Sequence, residues 1–188
     1  MPQKPPPRDE RITAATLELL RIKGPKAVTV EAVAARAEVA KTTIYRRYQD
    51  REEMLAAALT SLTQPAPPTD RSALRPILQW LIDQSYNAIE AGIGVGGVAA
   101  LLTEEDPAFT ELIRSLLVQH RKALADVVAD PTVAQLVRDD LDVETLLDCI
   151  VGAYLAERAR NGAAASGWAE RVLRTLWPAV APTNGQHH

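Results

Sequence analysis

The sequence contains few of the residues that covalent cross-links and membrane spans require. Its single cysteine, Cys149, excludes an internal disulfide and fits a reducing compartment. No run of 18 apolar residues occurs, and the chain does not open with a basic segment followed by an apolar one. We therefore expect a cytoplasmic protein that makes no membrane contact.

Aromatic residues are also scarce, at 4% of the 188 residues, and runs of β-branched residues are few. Alanine and leucine dominate, and no segment alternates apolar and polar residues as a half-buried strand does. Apolar residues recur instead at helical spacing, with polar and charged residues between them. The sequence therefore predicts an all-α fold.

The negative net charge is distributed unevenly along the chain. The whole chain carries −3, but residues 1–60 contain 11 Lys and Arg against 8 Asp and Glu, whereas residues 61–188 contain 10 against 16. Between Val39 and Gln49 every charged side chain is basic. A basic first third on an acidic remainder is the asymmetry expected when one end of a chain binds a polyanion.

Four short helices are predicted in the first third, at 9–23, 30–37, 41–48 and from a cap at Asp50 to about 62. The second, which Thr29 caps, is joined to the third by three residues. This is the spacing of a helix-turn-helix, whose second helix lies in the major groove of DNA. The expected apolar anchors of this motif are Val33, Ala34, Ala37, Val39, Ile44 and Tyr48.

The helix at 41–48 offers the side chains that a DNA reader needs. Small threonines let the backbone approach base edges, and arginines suit guanine edges or phosphates. The expected groove-facing residues are Lys41, Thr42, Thr43, Arg46 and Arg47. Arg51 is unusual, because a cation at the first position of a helix opposes the helix dipole. A phosphate docked there would explain it, and the alternative is a solvated arginine paired with a nearby glutamate.

The run from Thr29 to Leu55 resembles the DNA-binding domain of TetR/AcrR-family transcriptional regulators. The shared features include a Thr-Val start, Thr-Ile-Tyr-Arg in the recognition helix, and an aromatic residue followed three positions later by a basic one. The resemblance implies that Thr29, Tyr45 and Arg51 contact phosphates. It also implies a ligand-responsive regulator, in most members a repressor.

Two residues depart from the family pattern. Glu38 stands where the family usually has a turn glycine, so it must tolerate a left-handed conformation. Ala40 stands where the family usually has Ser or Thr, so a helix cap and a phosphate contact are expected to be missing. A competing hypothesis is therefore a helical ligand- or partner-binding module whose DNA binding has lapsed. Salt-dependent retention on DNA would separate the two.

The stretch 143–158 resembles the penultimate long helix of the same family, which pairs with the last helix in a two-fold interface. Its apolar stripe, the expected dimer interface, comprises Leu146, Leu147, Ile150, Val151 and Tyr154. Without the resemblance, the same stripe is the ordinary pattern of a core helix. Because one recognition helix reads only a few base pairs, we expect a homodimer on double-stranded DNA, at an inverted repeat with half-sites about 34–36 Å apart.

The family resemblance also implies a small-molecule effector of largely apolar character. Sparse aromatic residues among alanines and leucines leave room for a pocket, which Trp80, Tyr86 and Phe109 would line. The alternative is that these three side chains belong to a close-packed core. Glycines between 92 and 97 are expected to form a hinge next to them.

Other motifs lack the context that their chemistry needs. Gly92–Gly97 fits G-x-G-x-x-G but follows a helical pattern rather than a strand, so no dinucleotide cofactor is expected. His120 has no neighbouring nucleophile in the sequence, and the acidic clusters lack calcium-loop spacing. We therefore expect neither an enzyme nor a metal site.

The predicted organisation is an N-terminal helix-turn-helix DNA-binding domain followed by a C-terminal helical bundle for regulation and dimerisation. The ranges are a flexible arm at 1–8, the DNA-binding domain at 9–62, the ligand-binding and dimerisation domain at 70–180, and a polar tail at 181–188. A proline-rich linker at 64–68 separates the two domains.

Overall fold

A computed structural model describes residues 6–60 and 64–182. In these residues the backbone forms helices and no strand, which confirms the predicted all-α fold. The helices are α1 (Arg8–Lys23), α2 (Val30–Ala37), α3 (Lys41–Tyr45), α4 (Arg51–Ala58), α5 (Leu74–Asn87), α6 (Gly94–Thr103), α7 (Pro107–Val128), α8 (Pro131–Ala134), α9 (Val143–Asn161) and α10 (Trp168–Val180). Most of the predicted arm, the end of the predicted 9–62 domain and most of the tail, with its two histidines, lie outside the described residues.

Side-chain caps set where the short N-terminal helices begin. The Thr29 hydroxyl accepts a hydrogen bond from the Ala32 N–H (3.1 Å), and the Asp50 carboxylate accepts one from the Glu53 N–H (2.7 Å). Each bond satisfies a backbone donor that the first turn of a helix leaves free. Both predicted caps are therefore confirmed.

The helix predicted at 41–48 ends earlier than its apolar pattern suggested. Regular α-helix stops at Tyr45, and a turn follows in which the N–H groups of Arg47 and Tyr48 both donate to the Ile44 carbonyl. The apolar spacing continues through this turn, since Tyr48 is buried. For that reason the sequence pattern alone did not reveal where the helix ends.

Compact packing divides the chain into two units. The first comprises residues 1–64 and 88–118, and the second comprises residues 65–87 and 119–188. Residues 88–118, predicted as part of the C-terminal domain, therefore pack with the helix-turn-helix. Their buried side chains join those of α1–α4 in one core, to which they contribute Ile93, Ala100, Phe109 and Ile113.

The second unit has an aromatic cluster at its centre. Tyr86 packs edge-on against Tyr154, with ring centroids 5.2 Å apart, and Trp168 packs against both rings. The predicted linker is attached to this unit, because the Trp80 indole N–H donates to the Ala66 carbonyl (2.7 Å) and Pro68 is buried.

At the predicted glycine hinge the helix axis is kinked, and one of the glycines packs closely against α1. A wider, π-type turn at Ala88–Ile93 links α5 to α6, and Gly92 departs from helical angles. Just beyond it, a Cβ at Gly96 would lie 2.8 Å from both the Gly24 nitrogen and the Leu20 carbonyl oxygen. The glycines therefore let α6 approach the end of α1 more closely than any side chain would allow.

One helical stretch, Leu74–Thr103, is long and apolar enough to cross a membrane by length and composition alone. Core helices of water-soluble proteins meet the same criterion. This stretch departs from helical angles at Gly92, and its Gly94 and Gly96 pack against the end of α1.

Candidate nucleic-acid interface

The apolar side chains of the helix-turn-helix pack into the core, and its polar side chains face solvent. Val33 and Ile44 have no exposed surface, Ala34, Ala37 and Tyr48 are buried, and Val39 is half-buried. These are the predicted anchors, and their burial fixes how α2 and α3 rotate against α1. The opposite side of α3 must therefore face solvent.

We define the recognition surface as the exposed side chains of α3 and the turn that follows it. It comprises Lys41, Thr42, Tyr45, Arg46 and Arg47. Thr43 is half-buried at its edge, and Thr29, the α2 cap, is exposed. Tyr45 has 56% of its surface exposed, which is unusual for a large aromatic side chain and leaves its ring and hydroxyl free to contact a partner.

Two of the three cations on the recognition surface bind carboxylates of this chain. The Lys41 ammonium lies 2.9 Å from a Glu31 oxygen, and the Arg47 guanidinium lies 3.1 Å from Asp9. The hydrogen bond from Lys41 holds the pKa of the Glu31 carboxyl below its ordinary value. Within the described residues Arg46 has no ion-pair partner, so its guanidinium is available to a ligand.

The turn between α2 and α3 has the geometry expected from the two departing residues. Glu38 is left-handed, with φ of 54°, and its N–H donates to the Ala35 carbonyl. Ala40 makes no side-chain cap for α3. The backbone therefore keeps the helix-turn-helix path without a glycine, at the conformational cost that a non-glycine residue carries there.

Arg51 makes contacts that neither of its expected roles included. Its Nε donates to the Val28 carbonyl (2.8 Å), and its Nη2 donates to the Pro25 carbonyl (2.6 Å) and to Asp106 (2.7 Å). Its Nη1 pairs with Glu52 (3.2 Å), as the alternative had it, but only 21% of the side chain is exposed. Most donors of the guanidinium are therefore used within the protein, and the phosphate contact stays a prediction.

The predicted dimer-interface residues on α9 are mostly buried within their own chain. Ile150 and Tyr154 are at most 1% exposed, Leu146 and Leu147 are also buried, and Val151 is half-buried. This burial fits the alternative of a core stripe, and the two-fold interface formed by these residues stays a prediction. The side of α9 that remains exposed carries small residues, namely Thr145, Cys149, Gly152 and Ala156.

The predicted pocket residues fall in different units. Phe109 lies in the core of the first unit, whereas Trp80 and Tyr86 belong to the second. Each contacts other residues of its own unit: Phe109 lies next to Gly97, Trp80 is hydrogen-bonded to Ala66, and Tyr86 lies in the aromatic cluster. These contacts fit the close-packed alternative, and a ligand pocket lined by the three side chains stays a prediction.

An open groove of about 350 Å³ lies instead on the second unit, between α9 and α10. Its walls include Cys149, Ala156, Trp168 and Leu176. At one end the buried Glu157 carboxylate accepts from Arg171 (2.7 Å) and Arg160 (3.1 Å). The groove is therefore apolar along its length and charged at one end.

Sequence reasoning missed the acidic partners of the candidate site. In the sequence, Glu31 lies in the first turn of a predicted helix and Asp106 lies in an acidic cluster, and neither position indicates a basic partner. Their partners, Lys41 and Arg51, lie ten and 55 residues away along the chain, so no local pattern connects them. Only the packing of the helices brings these charges together.

Comparison with known proteins agrees with this geometry. Residues 12–58 match the family model of bacterial regulatory proteins of the tetR family. An uncharacterized HTH-type transcriptional regulator from Mycobacterium tuberculosis is 35% identical over 130 residues, which cover 68% of this chain and 63% of that relative. Another from Bacillus subtilis is 29% identical over 160 residues, 78% of this chain and 77% of the relative.

Solved structures share the fold at low sequence identity. A putative TetR-family regulator from Rhodococcus sp. superimposes with a TM-score of 0.67 at 18% identity, covering 93% of this chain and 98% of that one. A TetR regulator from Agrobacterium tumefaciens gives 0.61 at 18% identity, covering 94% and 95%. Residues 12–58 thus match the tetR family model of bacterial regulatory proteins, and the related sequences and the shared helical fold show that the rest of the chain is similar to regulators of that family.

Proposed function

We propose that this protein is a transcriptional regulator that binds double-stranded DNA through the recognition surface on α3. The observation that carries the proposal is the division of α3 into two faces. Ile44 has no exposed surface, while Lys41, Tyr45, Arg46 and Arg47 all face solvent. A short helix anchored in this way offers its cations to the major groove and to phosphates.

The side chains of the recognition surface suit different parts of a DNA duplex. The unpaired Arg46 guanidinium has the fork geometry for the O6 and N7 atoms of guanine. Lys41 and Arg47 must first break their ion pairs with Glu31 and Asp9. We assign them to phosphates, because a phosphate contact requires less exact geometry than a hydrogen bond to a base edge. Tyr45 and the α2 cap Thr29 have exposed hydroxyls that can donate to phosphate oxygens.

We also propose that two copies of this chain form a homodimer, which binds an inverted repeat. The support comes from the second unit, where the exposed side of α9 carries small residues and α10 exposes Thr175 and Ala179 beside them. Small residues allow two helices to cross closely. This face replaces the buried stripe that the sequence suggested.

Repression and release by a small, largely apolar effector follow from the family resemblance. The groove between α9 and α10 shares Cys149, Ala156 and Thr175 with the proposed dimer face, so its proposed occupant is the second copy of this chain and not the effector. A coupling of only about 1–3 kcal/mol between effector and DNA would change operator occupancy. Reporter expression with and without the intact gene would distinguish a repressor from an activator.

Selection of genomic DNA fragments on the purified protein, followed by sequencing, tests the proposal directly. We expect enriched fragments that share an inverted repeat and that dissociate steeply as salt rises. Arg46→Ala should weaken binding by about 1–3 kcal/mol without loss of helix content. Lys122→Ala is the matched control, since Lys122 is an exposed cation of the second unit. Equal affinity of both variants would contradict the proposal.

A further inference from the structure

The side chain of Arg51 connects three segments of the first unit. It begins α4, and its guanidinium donates to the carbonyls of Pro25 and Val28 and to the carboxylate of Asp106. Pro25 and Val28 bound the turn between α1 and α2, and Val28 has no exposed surface. A planar guanidinium can donate to all three acceptors at once, which an ammonium on a lysine stem cannot reproduce.

Asp106 uses its two oxygens for two different helices. Oδ1 accepts from the Phe109 N–H (3.1 Å) in the first turn of α7, and Oδ2 accepts from Arg51 (2.7 Å). The carboxylate is only 12% exposed. Its neighbour Glu105 lies 3.8 Å from Lys26, which belongs to the same turn before α2. The loop between α6 and α7 is thus attached twice to the segment where the helix-turn-helix begins.

A phosphate contact by Arg51 would require these bonds to break. The Val28 carbonyl would lose a charged donor, the Pro25 carbonyl would keep only the Val28 N–H, and the largely buried Asp106 would lose its cationic partner. A buried acceptor or carboxylate that loses its partner costs more than an exposed ion pair gains. The existing bonds therefore oppose a move of Arg51 towards DNA.

We propose that Arg51 is a positioning residue for DNA binding, oriented by Asp106, and that it contacts no phosphate itself. It fixes the Pro25–Val28 turn, and so the start of α2, relative to α4 and to the loop before α7. The recognition surface then depends on the α6–α7 loop through one guanidinium. This inference rests on the proposed DNA-binding function.

Three substitutions, together with Arg51→Ala, which removes the guanidinium, separate positioning from phosphate contact. Arg51→Lys keeps the positive charge but loses the three-way donor geometry. Asp106→Asn keeps a good α7 cap but has one acceptor oxygen instead of two, so its amide nitrogen faces Arg51. Glu104→Gln is the matched control, because Glu104 lies in the same loop and its ion pair with Arg114 is exposed.

DNA affinity is measured by fluorescence anisotropy over a salt series, on a fragment selected by the unaltered protein. We expect Arg51→Lys and Asp106→Asn each to weaken binding about tenfold. The salt slope should stay unchanged, because no phosphate contact is lost. The double variant should be no weaker than either single one, whereas Glu104→Gln should bind normally. Circular dichroism on each variant checks that the helices are intact.

Two results would overturn the inference. One is normal affinity in Arg51→Lys together with a slope about one unit shallower in Arg51→Ala, which is the signature of a phosphate contact. The other is tighter binding by Asp106→Asn, which would mean that Asp106 competes with DNA for Arg51. Hydrogen exchange at the Val28 amide, bonded to the Pro25 carbonyl, gives a readout without DNA. We expect faster exchange of this amide in Arg51→Lys and in Asp106→Asn. Unchanged exchange would contradict the positioning role of Arg51, even if the protein proved not to bind DNA.

Discussion

Lys41 and Arg47 bind carboxylates of the same chain. Both pairs are about half exposed, so each contributes little to the stability of the fold. These ion pairs matter more for DNA binding. A cation must break its ion pair with the carboxylate before it contacts a phosphate, and this offsets part of the free energy gained. Glu31 and Asp9 also place negative charge beside the surface that a polyanion must approach. These two acids therefore limit the affinity for DNA.

Removing the charge of Glu31 or Asp9 should tighten DNA binding. We expect Glu31→Gln and Asp9→Asn each to raise affinity about two- to fivefold at low salt, since Lys41 or Arg47 is released from its partner. The dependence on salt should steepen, because an additional counterion is displaced. Anisotropy titrations measure both effects. Asp126→Asn, which frees Lys122 on the second unit, should change neither, and weaker binding by Glu31→Gln would refute the expectation.

Glu157 is the buried carboxylate at the end of the groove on the second unit. Burial alone would raise its pKa, but the Ala165 N–H and the guanidinium groups of Arg171 and Arg160 outweigh that effect. The pKa of Glu157 is therefore held below its ordinary value. Because the folded-state pKa lies below the unfolded one, this carboxylate stabilises the fold at neutral pH and loses that contribution as the pH falls.

A Glu157→Gln variant should consequently be less stable than the unaltered protein above about pH 5. The difference should narrow as the pH falls through the range where Glu157 becomes protonated in the folded state. Urea unfolding followed by circular dichroism at several pH values measures this. Glu111→Gln, which removes an exposed carboxylate on α7, controls for the change in net charge. A difference that does not vary with pH would contradict the assigned role.

At the scale of elements, the contact between α1 and α6 depends on the absence of a side chain at Gly96. A Cβ there would meet backbone atoms of Leu20 and Gly24 at 2.8 Å, and backbone cannot rotate away as a side chain can. Gly152, on α9, is helical too, but a Cβ there would meet nothing within 4 Å. The two glycines therefore allow a matched comparison.

Gly96→Ala should destabilise the protein by about 1–3 kcal/mol, because α6 must move away from α1. Gly152→Ala should leave the fold of the single chain as stable or raise its stability by about 0.5–1 kcal/mol, through better helix propensity. Thermal unfolding of both variants tests this pair. Equal melting temperatures would show that α6 can move without cost.

Elements were easier to predict than the surfaces they use. Thr29 and Asp50 marked helix starts correctly because capping is local and depends on neighbours three residues away. The burial of most of the α9 stripe within its own chain was not predictable, because spacing shows that apolar residues share a face but not what covers that face. Tyr154, for instance, is covered by Tyr86 and Trp168, which are distant in sequence. The role of Arg51 depended on Asp106 in the same way.

For the whole molecule, the exposed side of α9 and α10 should determine the oligomeric state. Ala156→Glu places a charge on that exposed side and should yield folded monomers, because a buried unpaired charge at a two-fold axis opposes association. Ile150→Glu places the charge in the core of the same helix and should unfold the chain. Light scattering at micromolar concentration, with circular dichroism, distinguishes the two. A dimer that survives Ala156→Glu would exclude this face.

The first unit is assembled from two separated stretches of chain, and this has a consequence for how such regulators diversify. Recombination at the 64–68 linker would keep α1–α4 but replace Ile93, Phe109 and Ile113, which complete their core. It would also replace Asp106, the partner of Arg51. A hybrid joined there would combine helices α1–α4 of one protein with core residues from another. A chimaera should therefore acquire the operator specificity of a relative when both the N-terminal helices and the segment corresponding to residues 88–118 come from that relative. It should fail to do so when only the N-terminal helices are transferred.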